Sequence, residues 1–171
     1  MQVQKPSVAY PPHFNKYIEL VKNEDLNFIL SEQAKEAESF FNAIPAEKWS
    51  YKYGEEKWSI KEVVQHITDT ERVFGYRALA FSRKDPNIIP SFDENEYTKN
   101  SNAGNKDSKD LIEEFLAVRK SDQLLFKGFS EEQLHTTGKA SSYEMDVRSV
   151  GYMIAGHFAH HITILKERYL G

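Results

Sequence analysis

Four long stretches of this chain repeat their apolar residues every three to four positions, and no segment alternates apolar with polar residues long enough to argue for a strand. The first spans roughly 24–44 through Leu26, Ile29, Leu30, Ala34, Ala37, Phe40, Phe41 and Ile44, and Pro45 stops it. The second starts at Ser59, with Glu62 in capping-box spacing, and runs to Ser82 or Arg83 ahead of Pro86. The third occupies about 108–127 and the fourth begins at Asp146 or Val147 and runs to about Leu170. Helices patterned in this way bury their apolar stripes against one another, so the expected fold class is all-α, a four-helix bundle.

Three segments fall outside the period. Residues 85–107, with Pro86, Pro90, Gly104 and the run Phe92-Asp93-Glu94-Asn95-Glu96-Tyr97, read as a long irregular connection between the second and third helices. Connections of that length in compact domains are functional or disordered. Residues 49–58 carry Trp49, Tyr51, Tyr53 and Trp58 and read as an ordered loop, which either covers the bundle end or walls a substrate pocket. Residues 1–23 form a lead-in with a short helix through Phe14, Tyr17, Ile18 and Val21, begun near Pro11-Pro12. The bundle proper is then 24–171, within one domain of 1–171, and a further helical turn is capped by Ser130 with Gln133.

Composition narrows the function. With 40% of positions apolar, the chain has about 68 side chains from which to build a core, enough to fold without a staple. There are 22 Lys+Arg against 26 Asp+Glu, a net charge of −4, and no basic block, which disfavours nucleic acid as a partner. The absence of cysteine excludes disulfides, thiolate-held metals and a thiol nucleophile of the chain's own, leaving His, Asp and Glu as metal ligands. No run of about 18 apolar residues argues for a membrane span, and residues 1–6 lack an apolar leader, so the expectation is a soluble, cytoplasmic protein.

Helical phase sorts the six histidines. On the fourth helix Val147, Val150, Ile154, Phe158, Ile164 and Leu165 define an apolar arc that takes in His157 and His161 and leaves out His160. Two inward imidazoles one turn apart are either satisfied within the core or converge on one ion. His66 lies at the edge of the arc set by Ile60, Val63, Val64, Ile67 and Phe74, where it is either a flank histidine or a third ligand. Three histidines with an open fourth position would keep a water or a substrate atom on the metal. His13, His135 and His160 read as surface or edge residues.

Two charges stand on apolar faces: Glu71 between Ile67, Phe74 and Ala78, and Arg119 in phase with Ile112, Phe115 and Phe126. Such groups are seldom buried unless paired or functional. Glu71 is a candidate for a buried pair, for an acceptor that orients a ligand imidazole, or for a general base; Arg119 is a candidate for the pair or for a substrate contact. Asp69 points outward.

The runs His66-Ile67-Thr68-Asp69-Thr70-Glu71-Arg72-Val73-Phe74-Gly75-Tyr76-Arg77-Ala78-Leu79, Phe92-Asp93-Glu94-Asn95, Asn100-Ser101-Asn102-Ala103 and Gly156-His157-Phe158-Ala159-His160-His161 resemble the DinB-like family of four-helix proteins. The matching blocks follow the family's order over most of the chain. The family pattern, one histidine on the second long helix and H-x-x-x-H on the last, falls on His66, His157 and His161, and implies that these three hold one divalent metal ion. Three imidazoles suit zinc or nickel, and iron and copper as well. Similar proteins include bacillithiol S-transferases and mycothiol-dependent enzymes such as maleylpyruvate isomerase. The resemblance therefore implies a metal-dependent enzyme that activates a low-molecular-weight thiol toward a small-molecule substrate. The alternatives are a metal-dependent hydrolase activating water and a non-catalytic, stress-associated metal-binding protein. Similar proteins are often dimers, so a homodimer is implied too. A pocket beside the metal, lined by 85–107, would favour the enzyme readings.

Overall fold

The computed structural model describes residues 10–171, and the reading of residues 1–6 lies outside it. Four long helices form the bundle: α2 (Leu26–Asn42), α3 (Ile60–Ser82), α5 (Ser108–Lys127) and α7 (Val147–Ile164). Each begins at a side chain that accepts a hydrogen bond from a first-turn amide: Asp25 from Phe28, Ser59 from Glu62, Asp107 from Lys109 and Asp146 from Ser149. These caps satisfy amides that the helix itself leaves unpaired.

The core consists of two apolar clusters, and the order in which a helix visits them gives its direction. α2 passes from Leu26 and Leu30 in one to Ala37 and Phe41 in the other, and α7 likewise from Val147 and Val150 to Phe158 and Ile162. α3 goes the opposite way, from Ile60 and Val63 to Phe74 and Phe81, as does α5, from Leu111 and Phe115 to Phe126. Consecutive long helices α3 and α5 are therefore parallel, and the chain between them has to travel the length of the bundle, about 30 Å for a helix of this size. That requirement, rather than disorder, accounts for the long connection. In cross-section α3 packs against α5 and α7, and α2 against the same two.

The connection is less irregular than its sequence suggests. It contains α4 (Glu94–Asn100), started by Asp93, whose carboxylate accepts from the amides of Asn95 and Glu96, and a 3₁₀ turn at Ala103–Asn105. No apolar period marks α4, so only its cap could have announced it.

A second departure is an antiparallel hairpin, β1 (Thr137–Ala140) with β2 (Tyr143–Asp146), in a chain expected to have no strands. Gly138 faces the ring of Phe81, where a Cβ would collide, so β1 can lie flat on α3. Ile89 from the crossing connection pairs with this hairpin, its amide donating to the Lys139 carbonyl (3.0 Å) and its carbonyl accepting from Ser141 (2.8 Å).

The ends of the bundle also differ from expectation. The first long helix is 26–42, and the last leaves α-helical winding at Ile164 and continues as a π turn over Leu165–Tyr169. Tyr169 there donates its hydroxyl to the Trp58 carbonyl (2.7 Å), fastening the C-terminal turn to the aromatic loop. Ahead of the bundle, a 3₁₀ turn at Pro12–Phe14 leads into α1 (Asn15–Ile18), which packs on α7; α6 (Glu131–Leu134) is the turn capped by Ser130. Among the described residues no helix is long and apolar enough to cross a membrane.

Candidate metal centre

His66 on α3 and His157 and His161 on α7 meet where these two helices pack. The Nε2 atom of His157 lies 3.0 Å from that of His66 and 3.1 Å from that of His161. The three donor nitrogens lie within 4.8 Å of one another. Nitrogens held tetrahedrally at a zinc–nitrogen distance of about 2.0–2.1 Å would be about 3.3 Å apart, close to this spacing. Burial pushes the His66 imidazolium down to a pKa of about 4. Burial first, then the neighbouring imidazoles, drives His157 and His161 well below the ordinary value. At neutral pH all three are uncharged, the form that donates a lone pair to a metal. The residues therefore fit a divalent ion with three nitrogen ligands, and contain no thiolate or carboxylate that would select a different class.

Neighbouring residues fix the rings. Gly156 lies against the backbone of Tyr17, where a Cβ could not fit, so α1 closes over the histidines. The Tyr17 ring stands edge-on to His157 and His160, and the Trp58 ring packs on His66 with centroids 4.7 Å apart. His160 is half-buried and outside the convergent group, and His135 is exposed. His13, read as a surface residue, is exposed but lines the cavity described next.

The three histidines form one wall of a cavity of about 370 Å³. The lead-in contributes Phe14 and Tyr17, α3 contributes Thr70, Phe74 and Arg77, the crossing connection contributes Ser91, Phe92 and Glu94, and the hairpin contributes Tyr143 and Met145. With Trp58 from the aromatic loop, all three segments that fell outside the helical period thus contribute to the cavity. Arg77 and Thr70 were not singled out from the sequence, although His66, Thr70, Phe74 and Arg77 recur at intervals of four, four and three and so share a helix face.

Glu71 and Arg119 occupy a different place. Arg119 donates from Nε to Glu71 Oε1 (2.5 Å) and from Nη2 to Oε2 (2.8 Å), and a third bond runs from Nη1 to Gln33 Oε1 (2.8 Å). Gln33 in turn donates to the Ala155 carbonyl (2.8 Å), so the network joins α2, α3, α5 and α7. Phe115 and Phe158 cover the guanidinium from 5.3 and 4.9 Å. The network lies between the two apolar clusters on all four helices, and neither Glu71 nor Arg119 lines the cavity. Gln33 went unnoticed in the sequence, where a single glutamine on an apolar face carries little signal.

The sequence matches the DinB superfamily over residues 29–165. No curated protein sequence matches it significantly. Among solved structures, YfiT from Bacillus subtilis, described as a probable metal-dependent hydrolase with an unusual four-helix bundle topology, superposes with a TM-score of 0.71 at 14% identity, covering 97% of this chain and 91% of YfiT. At that identity the likeness concerns the fold, and the parallel α3 and α5 with their crossing connection are this chain's form of it. With most of its length matched and the bundle in place, the chain belongs to the DinB superfamily.

Proposed function

We propose that this protein is a metal-dependent enzyme in which His66, His157 and His161 hold one divalent ion at the wall of a substrate cavity. The observation that carries the reading is the convergence of three neutral Nε2 atoms on an aromatic-lined cavity of about 370 Å³, within the usual range for small-molecule sites. When bound, the ion supplies Lewis-acid charge that lowers the pKa of a thiol or a water in its open position. The protein's own groups do the rest. Trp58 and Tyr17 hold the rings, Phe14, Phe74 and Phe92 exclude water, and the crossing connection and hairpin shape the far side.

A thiol nucleophile suits this lining best. Thiols ionise far more readily than water, so they need little help from a base, and Glu71, the inward carboxylate on α3, is committed to Arg119. The favoured activity is therefore transfer of a low-molecular-weight thiol to a small electrophile. Hydrolysis is the second reading, favoured by the likeness to YfiT and by Glu94, whose carboxylate borders the cavity where a base could act. A cavity beside the histidines supports turnover over a purely metal-holding role.

The test is elemental analysis of the purified protein, then turnover of an aryl halide with and without added thiols, beside turnover of aryl esters without thiol. Metal-dependent, thiol-dependent turnover supports the first reading. Ester hydrolysis without thiol would replace it with the second, and protein that takes up no divalent ion would overturn both.

A further inference from the structure

Arg77 is 6% exposed and faces the same cavity as the histidines. Among the described residues its Nε has no hydrogen-bond partner, and its one bond, from Nη2 to the Pro90 carbonyl, is long at 3.4 Å. No carboxylate among the described residues makes an ion pair with it, and the Phe74 ring beneath it lies 5.1 Å away. Burial pulls its pKa below the ordinary arginine value, the mark of a cation short of compensation. Two turns before it on α3, Thr70 is 3% exposed, lines the same cavity, and has a hydroxyl without a partner among the described residues. Buried polar groups are rarely left so, and each costs stability unless something else satisfies it. Glu94, the carboxylate bordering the cavity, is exposed and does not reach Arg77.

We propose that Arg77 and Thr70 form an oxyanion-binding subsite, and that the substrate is an organic anion whose carboxylate or phosphate docks there while its reacting end lies at the histidines. The subsite itself stands on Arg77 and Thr70; its assignment to substrate rests on the enzyme reading above. A guanidinium fork matches either oxyanion through paired N–H donors. His66 and Arg77 are three turns apart, about 16 Å of helix rise, and the arginine side chain leans back toward the helix N-terminus. The two ends of the ligand are then separated by on the order of 10 Å, a span that Phe74 and Phe92 line with apolar surface. The substrate class is a small acid with an aromatic or aliphatic middle, its oxyanion shared by Arg77 and the Thr70 hydroxyl.

The test measures binding of benzoate, phenyl phosphate, inorganic phosphate and benzyl alcohol by calorimetry, to the 171-residue protein as purified and after chelation. The expected result is that at least one organic anion binds both forms at least tenfold more tightly than benzyl alcohol, with benzoate and phenyl phosphate separating the carboxylate from the phosphate arm. Arg77→Met should weaken that binding at least tenfold while metal content stays unchanged and the melting temperature stays level or rises, because an uncompensated buried cation has been removed. Thr70→Val should weaken it a few-fold. Equal binding by Arg77→Met, equal binding of benzyl alcohol, or no binding of any anion would overturn the proposal. So would a lower melting temperature in Arg77→Met, which would make Arg77 a structural residue. Absence of metal from the wild-type protein, with anion binding intact after chelation, would instead overturn the metal reading and leave the subsite standing.

Discussion

Arg119 and Arg77 both lie on bundle helices and are almost wholly buried, at 0% and 6% exposure, yet their surroundings are opposite. Arg119 has a two-pronged carboxylate, an amide oxygen and two aromatic faces. Among the described residues Arg77 has one long bond to a carbonyl and an unpartnered Nε. A cation whose hydrogen-bonding capacity is filled by the protein orders the elements around it, whereas one left short beside a cavity is available to a ligand. The contrast separates two regions of the bundle: a closed polar layer that fixes how the four helices meet, and an open face on α3 and α7 where groups await partners. On the proposed function, stability and function would be divided between neighbouring faces of the same helix, since Thr70 and Glu71 are consecutive.

The largest effect should come from breaking the closed layer. Arg119→Met strands the Glu71 carboxylate and Glu71→Gln strands the guanidinium, and loss of one member of a buried pair costs about 3–5 kcal/mol. Denaturant unfolding of both variants and of the double variant should show the double losing less than the sum, because the second change removes a charge already without its partner. If Arg119→Met were as harmless as Arg77→Met is expected to be, the comparison would collapse.

The open face should respond less, and mainly in metal content. Alanine at His66, His157 or His161 should bring metal well below one ion per chain, while His160→Ala should retain it. Full occupancy in His66→Ala would remove α3 from the site. Stripping the ion should lower apparent stability by about 2–3 kcal/mol, the effect of a ligand present at about a hundred times its dissociation constant. The helical circular dichroism should remain, because the two apolar clusters pack without help from the site. Loss of that signal on chelation would make the centre structural.

What the sequence revealed and what it hid follow the same division. The start of the second long helix was legible because Ser59 with Glu62 is a local cap signal. Helical phase brought His66, His157 and His161 toward one interior and placed Glu71 and Arg119 on inner faces, because phase is a property of a single helix. Pairing between helices was not legible: nothing local says that Glu71 meets Arg119, or that Gln33 completes the set. The hairpin at 137–146 was hidden because its strands are four residues long and its turn uses Ser141 at a φ of 54°, where Gly or Asn would have been the recognisable signal. Arg77 was visible in phase with His66, but an arginine near one edge of an apolar arc looks like a solvated one until the crossing connection is laid over it.

The smallest predicted effect asks whether the closed layer is as closed as it looks. Asp122, on α5 near Glu71 and Arg119, is 5% exposed, packs against the bare Cα of Gly75, and has an Oδ2 without a partner among the described residues. Burial first, and the Glu71 charge second, raise its pKa to about 8, with Arg119 opposing. Near neutral pH the carboxyl is then mostly protonated, and the layer holds one cation and one anion rather than a surplus negative charge. The sign follows from linkage. The folded protein binds this proton more tightly than the unfolded chain, so the stability it contributes is fully present below the ordinary aspartate pKa. That contribution is lost as pH rises through about 8. Between about pH 7 and about pH 8.5 the loss should be about 1 kcal/mol, from 1.36 kcal/mol per unit of pKa difference tapering beyond the midpoint. Asp122→Asn keeps the shape and removes the proton, so its stability should be flatter by that amount over the same window. Equal slopes in wild type and variant would mean that Asp122 is already ionised at neutral pH. The layer would then carry a net negative charge, and Arg119 would be shared between two carboxylates rather than held by Glu71 alone.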